Sequence, residues 1–145
     1  MFYLCLFYIS SCNNGNVNDI QVVNNNINYD VVSNINADSI LHIAIKIIGS
    51  NNQGQSSLRY NQSREGYAEA VDYYINKAAQ DIYINSCDSI IYPNSYHFEN
   101  NYNVVDYDVI NVFFDLSGSE YCSTTFVFFN NKKGSPFKHL LDNIW

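Results

Sequence analysis

Positive charge is scarce in this chain. Seven Lys and Arg, only two of them Arg, stand against 14 Asp and Glu in 145 residues, a net charge of −7. A nucleic-acid binder needs a Lys/Arg footprint for its phosphate contacts, so no nucleic-acid partner is expected. Charge of either sign is thin, at 14% of residues against about 25% in a typical globular chain. Long apolar runs are missing too. The N-terminal run Phe2 to Ile9 stops at eight residues, well short of the ~20 needed to cross a bilayer as a helix. Histidine occurs three times, as His42, His97 and His139, with no HxH or HExxH spacing, so a zinc site has no local support. No complete catalytic or cofactor motif is present, and neither a cofactor nor a metal is expected.

Asparagine carries the polar load, with 23 residues, beside 13 Tyr, 9 Phe and 16 Ile. Aromatics at 16% exclude a disordered acidic tail, because such tails lack the residues that build a core. The length suits one domain and is short for two.

Residues Phe2 to Ile9, FYLCLFYI, form the apolar stretch of a short secretory signal, followed by the small residues Ser10 and Ser11 and then Cys12. Ile9-Ser10-Ser11-Cys12 resembles the lipobox of bacterial lipoproteins. No Lys or Arg precedes the apolar run, a departure from that pattern. The resemblance implies that Cys12 is lipidated, becomes the first mature residue and anchors the protein in the cell envelope. An ordinary cleaved signal and a buried N-terminal strand are the alternatives. From Asn13 to Asn36 the chain is nearly all Asn, Val, Ile, Asp and Ser. Asn competes with regular structure by bonding nearby backbone, so the expected division is a signal peptide over 1–11, an Asn-rich tether over 12–38 and one domain over 39–145. Within the tether, Val22-Val23 and Val31-Val32 suit short edge strands.

The body reads as α+β. Ile40 to Ile48 alternates as a half-buried strand, with Leu41, Ile43, Ile45 and Ile47 on one face. A helix is expected from Arg64 to Gln80, capped by Asn61 or Ser63, with the stripe Tyr67, Val71, Tyr74, Ala78 and Ile82. Short strands follow at 81–85, 89–92 and 95–99. The strongest β signal is a hairpin from Asp108 to Phe129, turning at Ser117-Gly118-Ser119-Glu120, with Ile110, Val112, Phe114 and Leu116 inward and Phe126 and Phe128 joining them. Residues Phe137 to Ile144 fit a helical turn or a last strand. This predicts one amphipathic helix packed on an antiparallel meander, strand-helix-four or five strands. The order is similar to a cystatin-like or nuclear-transport-factor-2-like arrangement, in which a sheet curls around a helix. That similarity is one of topology alone and implies no function.

In an exported chain Cys87 and Cys122 can pair as a disulfide, or sit apart as small buried hydrophobes. His97 and Glu99 alternate onto one strand face, and so do Asp106 and Asp108. Either pair could bind a cation or share a proton, and the plainer reading is a solvated strand face. The many tyrosines, among them Tyr60, Tyr67, Tyr73, Tyr74, Tyr83, Tyr92, Tyr96, Tyr102, Tyr107 and Tyr121, offer rigid contact area suited to recognition, or fill half-buried sheet positions. Three functions fit. The first is a membrane-tethered extracytoplasmic domain without catalytic activity that binds a protein or glycan. The second is a secreted inhibitor or immunity-type protein that blocks a basic partner. The third is a small hydrolase using His97 or Asp106/Asp108.

Overall fold

The computed structural model describes residues 18–24, 27–48, 58, 63–87, 89–102, 104–118, 123–128 and 137–141. Strands β1 (Asn18–Asn24), β2 (Ile27–Ile35) and β3 (Ile40–Ile48) come first, then helix α1 (Arg64–Asn76) and a 3-10 turn over Ala78–Asp81. Strands β4 (Ile82–Ser86), β5 (Ser89–Ile91), β6 (Ser95–Glu99), β7 (Tyr107–Asp115), β8 (Thr124–Phe128) and β9 (Phe137–Leu141) follow. They form two antiparallel sheets, ordered β1-β2-β3-β7-β6 and β5-β4-β8-β9. The α+β class and the one α-helix among the described residues agree with the sequence. The single meander does not, because the strands divide between two layers that face each other.

Alternation decides which side chains enter the space between the layers. Strand β3 buries Leu41, Ile43, Ile45 and Ile47, and β7 buries Ile110, Val112 and Phe114. The second sheet answers with Ile82, Ile84, Phe126 and Phe128. The Tyr29 ring meets the Phe128 ring edge-on at 6.1 Å, joining β2 to β8 across the core. Val127, on the opposite face of β8, is also buried, so this strand is covered on both sides.

The stretch expected as a tether is largely sheet. Residues 18–24 and 27–35 form β1 and β2; β1 pairs along its whole length with 27–33 of β2, and β2 pairs with β3. The reason lies in the odd positions of β2: Tyr29, Val31 and Ser33 are buried while Asn28, Asp30 and Asn34 are only partly covered. The asparagines therefore take the solvent side or the turns. Asn36 shows the turn use: its Oδ1 accepts from the backbone N–H of Asp38 at 3.0 Å and of Ile40 at 2.9 Å, closing the β2–β3 hairpin.

The expected hairpin from Asp108 to Phe129 is also corrected. Strand β7 pairs with β3 and β6, whereas β8 pairs with β4 and β9. After β7 the chain bends toward the β2–β3 turn, where the Leu116 N–H donates to the Ser39 carbonyl at 3.0 Å. Gly118, at φ +82°, supplies the left-handed backbone there. The inward residues of both strands are the expected ones, and the partner strand differs.

Helix α1 starts at Ser63, whose Oγ accepts from the Gly66 N–H at 3.1 Å. It is shorter than expected because Lys77, at φ −127° and ψ −34°, leaves the helical region, and the 3-10 turn continues in its place. Ala70, Tyr73, Tyr74 and Ala78 are buried, while Val71 is only half-buried, so the packed stripe is rotated slightly from the expected one. The Tyr74 ring stacks on Phe98 of β6 at 5.2 Å. Strands β4, β5 and β6 fall within a residue or two of their expected positions, and β9 settles the tail between 137 and 141 as a strand.

Candidate functional site

His97 and Glu99 do share the solvent side of β6, and they belong to a larger row. In the register His97 lies opposite Asn111 of β7, and Ala44 of β3 lies on the other side of Asn111. The Asn111 Oδ1 is 2.9 Å from His42 Nε2, and its Nδ2 donates to Glu99 Oε1 at 3.0 Å. Glu99 Oε1 lies 4.0 Å from His97 Nε2. Three strands thus carry a continuous polar line, His42–Asn111–Glu99–His97. The His42 ring stacks on Phe113 at 4.5 Å, almost parallel, and Lys46 Nζ lies 5.3 Å from the centre of the Tyr107 ring. Both His97 and Glu99 are largely exposed, so water screens their attraction and the ion pair adds little stability.

Asp106 and Asp108 are not brought together as a pair. Asp106 precedes β7 and is exposed, outside the alternation that was expected to align the two. Asp108 is inside β7, opposite Ile47, and only 1% exposed. Its Oδ1 accepts from the Asn101 N–H at 2.8 Å, and Oδ2 has no hydrogen-bond partner. Burying a carboxylate is costly unless it is paired. The partner in view is the backbone of the loop between β6 and β7.

That loop is tied down at several points. Asn101 Nδ2 donates to the Tyr107 carbonyl at 2.8 Å, and the Val104 N–H donates to the Asn101 carbonyl at 2.8 Å. Asn100 Oδ1 accepts from the Tyr102 N–H at 2.9 Å, while its Nδ2 donates to the Tyr67 hydroxyl of α1 at 2.9 Å. Tyr102 is held at φ +49°, a left-handed conformation uncommon for a bulky residue and often retained where function requires it. Its side chain is 72% exposed and that of Val104 is 87% exposed. Tyr102 is among the tyrosines that the sequence offers for recognition, whereas no pattern or spacing singles out Val104. The available signal was the Asn-Tyr-Asn cluster after β6, which reads as an ordinary turn.

The remaining tyrosines divide by environment. Tyr73 and Tyr74 are core residues, and Tyr67 and Tyr96 pack against that core. The Tyr73 hydroxyl donates to Asp81 Oδ2 at 2.7 Å, and the Tyr96 hydroxyl donates to the Tyr74 carbonyl. Burial raises the hydroxyl pKa values of Tyr73, Tyr74 and Tyr96 well above the usual range, and the Asp81 carboxylate adds to the rise at Tyr73. Tyr92 is exposed beside the edge strand β5, 6.1 Å from the Tyr83 ring. Tyr60 and Tyr121 lie outside the described residues.

Cys12 and Cys122 lie outside the described residues as well. Cys87 occupies the β4–β5 turn at φ +52° and is not a free thiol. Among the described residues, no cluster of three or more His, Cys, Asp or Glu could hold a metal ion, and no helix is long and apolar enough to cross a membrane. No known protein family, curated protein or solved structure matches the chain.

Proposed function

We propose that the protein is a membrane-tethered extracytoplasmic binding domain without catalytic activity, recognising a protein or glycan partner. The observation that carries this reading is the pair of exposed side chains Tyr102 and Val104, whose backbone N–H groups are hydrogen-bonded to Asn100 and Asn101. Exposed apolar groups on a constrained backbone serve recognition, because little conformational entropy is lost when they are covered. The lipobox-like Ile9-Ser10-Ser11-Cys12 supports the tether. A lipid on Cys12 would leave five residues of sequence between the anchor and Asn18, where β1 begins.

The second reading, an inhibitor or immunity-type protein that blocks a basic partner, draws on the net charge of −7, which would speed encounter with such a surface. Two experiments test the proposal. In full-length protein expressed in a bacterium, Cys12→Ser should shift the chain from the detergent phase to the aqueous phase. Equal partition of both forms overturns the anchor. A photo-cross-linking amino acid placed singly at Ile75, Ile90, Tyr92, Tyr102 and Val104, the large exposed apolar positions among the described residues, should give a discrete adduct on cells of the source organism from at least one position. Adducts from none of them overturn the binding role.

A further inference from the structure

We infer that the protein rests on the bilayer that holds its lipid by one end of the sandwich, the end that carries the Asn36–Ser39 turn, Asn94 and Asp115, with the exposed Tyr92 ring at the level of the lipid headgroups. This rests on the lipid anchor proposed above and names the surface that meets the membrane.

Three observations converge on it. First, the register puts the start of β1 at this end. Asn18 lies in one row with Ser33, Ile43, Val112 and Tyr96 across the five-stranded sheet, and the β2–β3 turn lies just past that row. The opposite end carries Asn28, Ile48 and Tyr107 in a row of their own. A nine-residue strand such as β3 puts roughly 25–30 Å between the two ends. Second, the sequence leaves little chain between anchor and sheet. Five residues separate Cys12 from Asn18, a reach of about 20 Å at full extension. The turn end is therefore held nearer the lipid than the opposite end. Third, an exposed aromatic side chain is tied to this end. Tyr92 is 56% exposed and stands two residues before Asn94. The Asn94 N–H donates to the Phe113 carbonyl at 2.8 Å, and Asn94 Oδ1 accepts from the Asp115 N–H at 2.8 Å. The Leu116 N–H donates to the Ser39 carbonyl, so the segment that carries Tyr92 and the β2–β3 turn meet at the same end. Tyrosine, apolar in its body and polar at its tip, is enriched at membrane–water interfaces. Residues 33–42, 92–97 and 112–118 include Asp38 and Asp115 and no Lys or Arg. The contact at these residues therefore draws on the tether and the ring, not on attraction to anionic headgroups.

The test uses the full chain as a bacterium lipidates it, reconstituted in phosphatidylcholine vesicles that contain a lipid with a nitroxide on its headgroup. A fluorescent amino acid is placed singly at Asp38 and Tyr92, at the inferred contact, and at Asn28 and Lys46, toward the opposite end. The chains should float with the vesicles, and quenching at 38 and 92 should exceed that at 28 and 46 by about twofold or more. With the fluorophore at 38, Tyr92→Ser should lower the quenching about twofold and leave flotation unchanged, while Tyr92→Trp should retain it. A thermal melt of Tyr92→Ser matching wild type keeps the comparison free of folding effects. Should that variant melt early, Tyr92→Gln is read in its place. Chains that do not float overturn the anchor and this placement with it. Chains that float with equal quenching at all four positions, or with stronger quenching at 28 and 46, overturn the placement and leave the anchor standing. Quenching at 38 that Tyr92→Ser or its substitute leaves unchanged overturns the contact at Tyr92.

Discussion

Asp108 Oδ1 receives the Asn101 N–H at 2.8 Å, so a buried side chain of β7, in the five-stranded sheet, holds the chain that leads into its own N-terminal end. Only the acceptor is needed for that bond, and the second carboxylate oxygen has no hydrogen-bond partner. Asp108→Asn retains an acceptor, whereas Asp108→Ala leaves the Asn101 amide without one. The alanine variant should lose about 1–3 kcal/mol and exchange the Asn101 amide hydrogen far faster. The asparagine variant should be the milder of the two by urea melt and keep that amide protected. Equal exchange in both variants would show that the carboxylate does not hold the loop.

The core register makes a second prediction. Phe114 and Phe126 are fully buried on β7 and β8, so changing either to Ala should cost about 3–5 kcal/mol. That is a large part of the roughly 5–15 kcal/mol by which a domain is usually stable. Asn111, on the solvent side of β7, bonds to His42 and Glu99 at the surface, and Asn111→Ala should cost less than about 1 kcal/mol. Urea midpoints of the three variants separate the two faces. Equal midpoints for Phe114→Ala and Asn111→Ala would mean that the register is wrong.

Alternation made the inward faces legible before the structure was known, because a period of two is set by the pleat and needs no knowledge of the neighbouring strand. Leu41 through Ile47 and Ile110 through Leu116 were readable for that reason. Pairing was not. The turn Ser117-Gly118-Ser119-Glu120 suits a hairpin, yet β7 and β8 stand in different sheets, because β7 finds β3 and β6 and the chain after it is drawn to Ser39. Asparagine misled in β2, where composition outweighed the alternation of Tyr29, Val31 and Ser33. At the candidate site, His97 and Glu99 were visible as strand neighbours. Their extension through Asn111 to His42 depends on sheet order, and the role of Asp108 depends on its parity with Ile110, which Asp106 does not share from outside the strand.

A third prediction concerns Cys87. The register pairs Ser86 with Thr124, and the Ser86 hydroxyl lies 3.1 Å from that of Thr124 in a buried contact. Cys87 directly follows Ser86 in the sequence and is not a free thiol, and Cys122 precedes Thr124 by two residues in the sequence. We propose that they form a disulfide. Its loop of about 35 residues would add about 3–4 kcal/mol in the chain-entropy model. Exported protein should show neither thiol on titration under denaturing conditions, and Cys122→Ala should lower the urea midpoint and expose one new thiol at Cys87. Two titratable thiols at 87 and 122 in the oxidised wild type would exclude the bridge.

The buried tyrosines predict how the protein fails in alkali. Tyr73, Tyr74 and Tyr96 have hydroxyl pKa values raised by burial above the usual 10.0. In the unfolded chain these hydroxyls ionise near their ordinary value, while in the folded chain they keep their protons. Above pH 10 the unfolded state therefore binds fewer protons than the native state, and stability must fall as pH rises. Below that point both states are protonated, and the contribution is fully present. The loss approaches about 1.4 kcal/mol per pH unit for a fully shielded hydroxyl, with Tyr74, at 2% exposure, the nearest to that limit. It is smaller for Tyr96, which is nearer to solvent. Urea melts should give these groups no pH dependence between about pH 8 and pH 9 and a decline beyond about pH 10. Tyr96→Phe gives up its bond to the Tyr74 carbonyl and so lowers stability at neutral pH, yet it removes one ionising group and should flatten the alkaline slope. An unchanged slope in Tyr96→Phe, or stability that holds level beyond pH 11, would mean that these hydroxyls reach water in the native state and that the helix does not pack on the sheets as described.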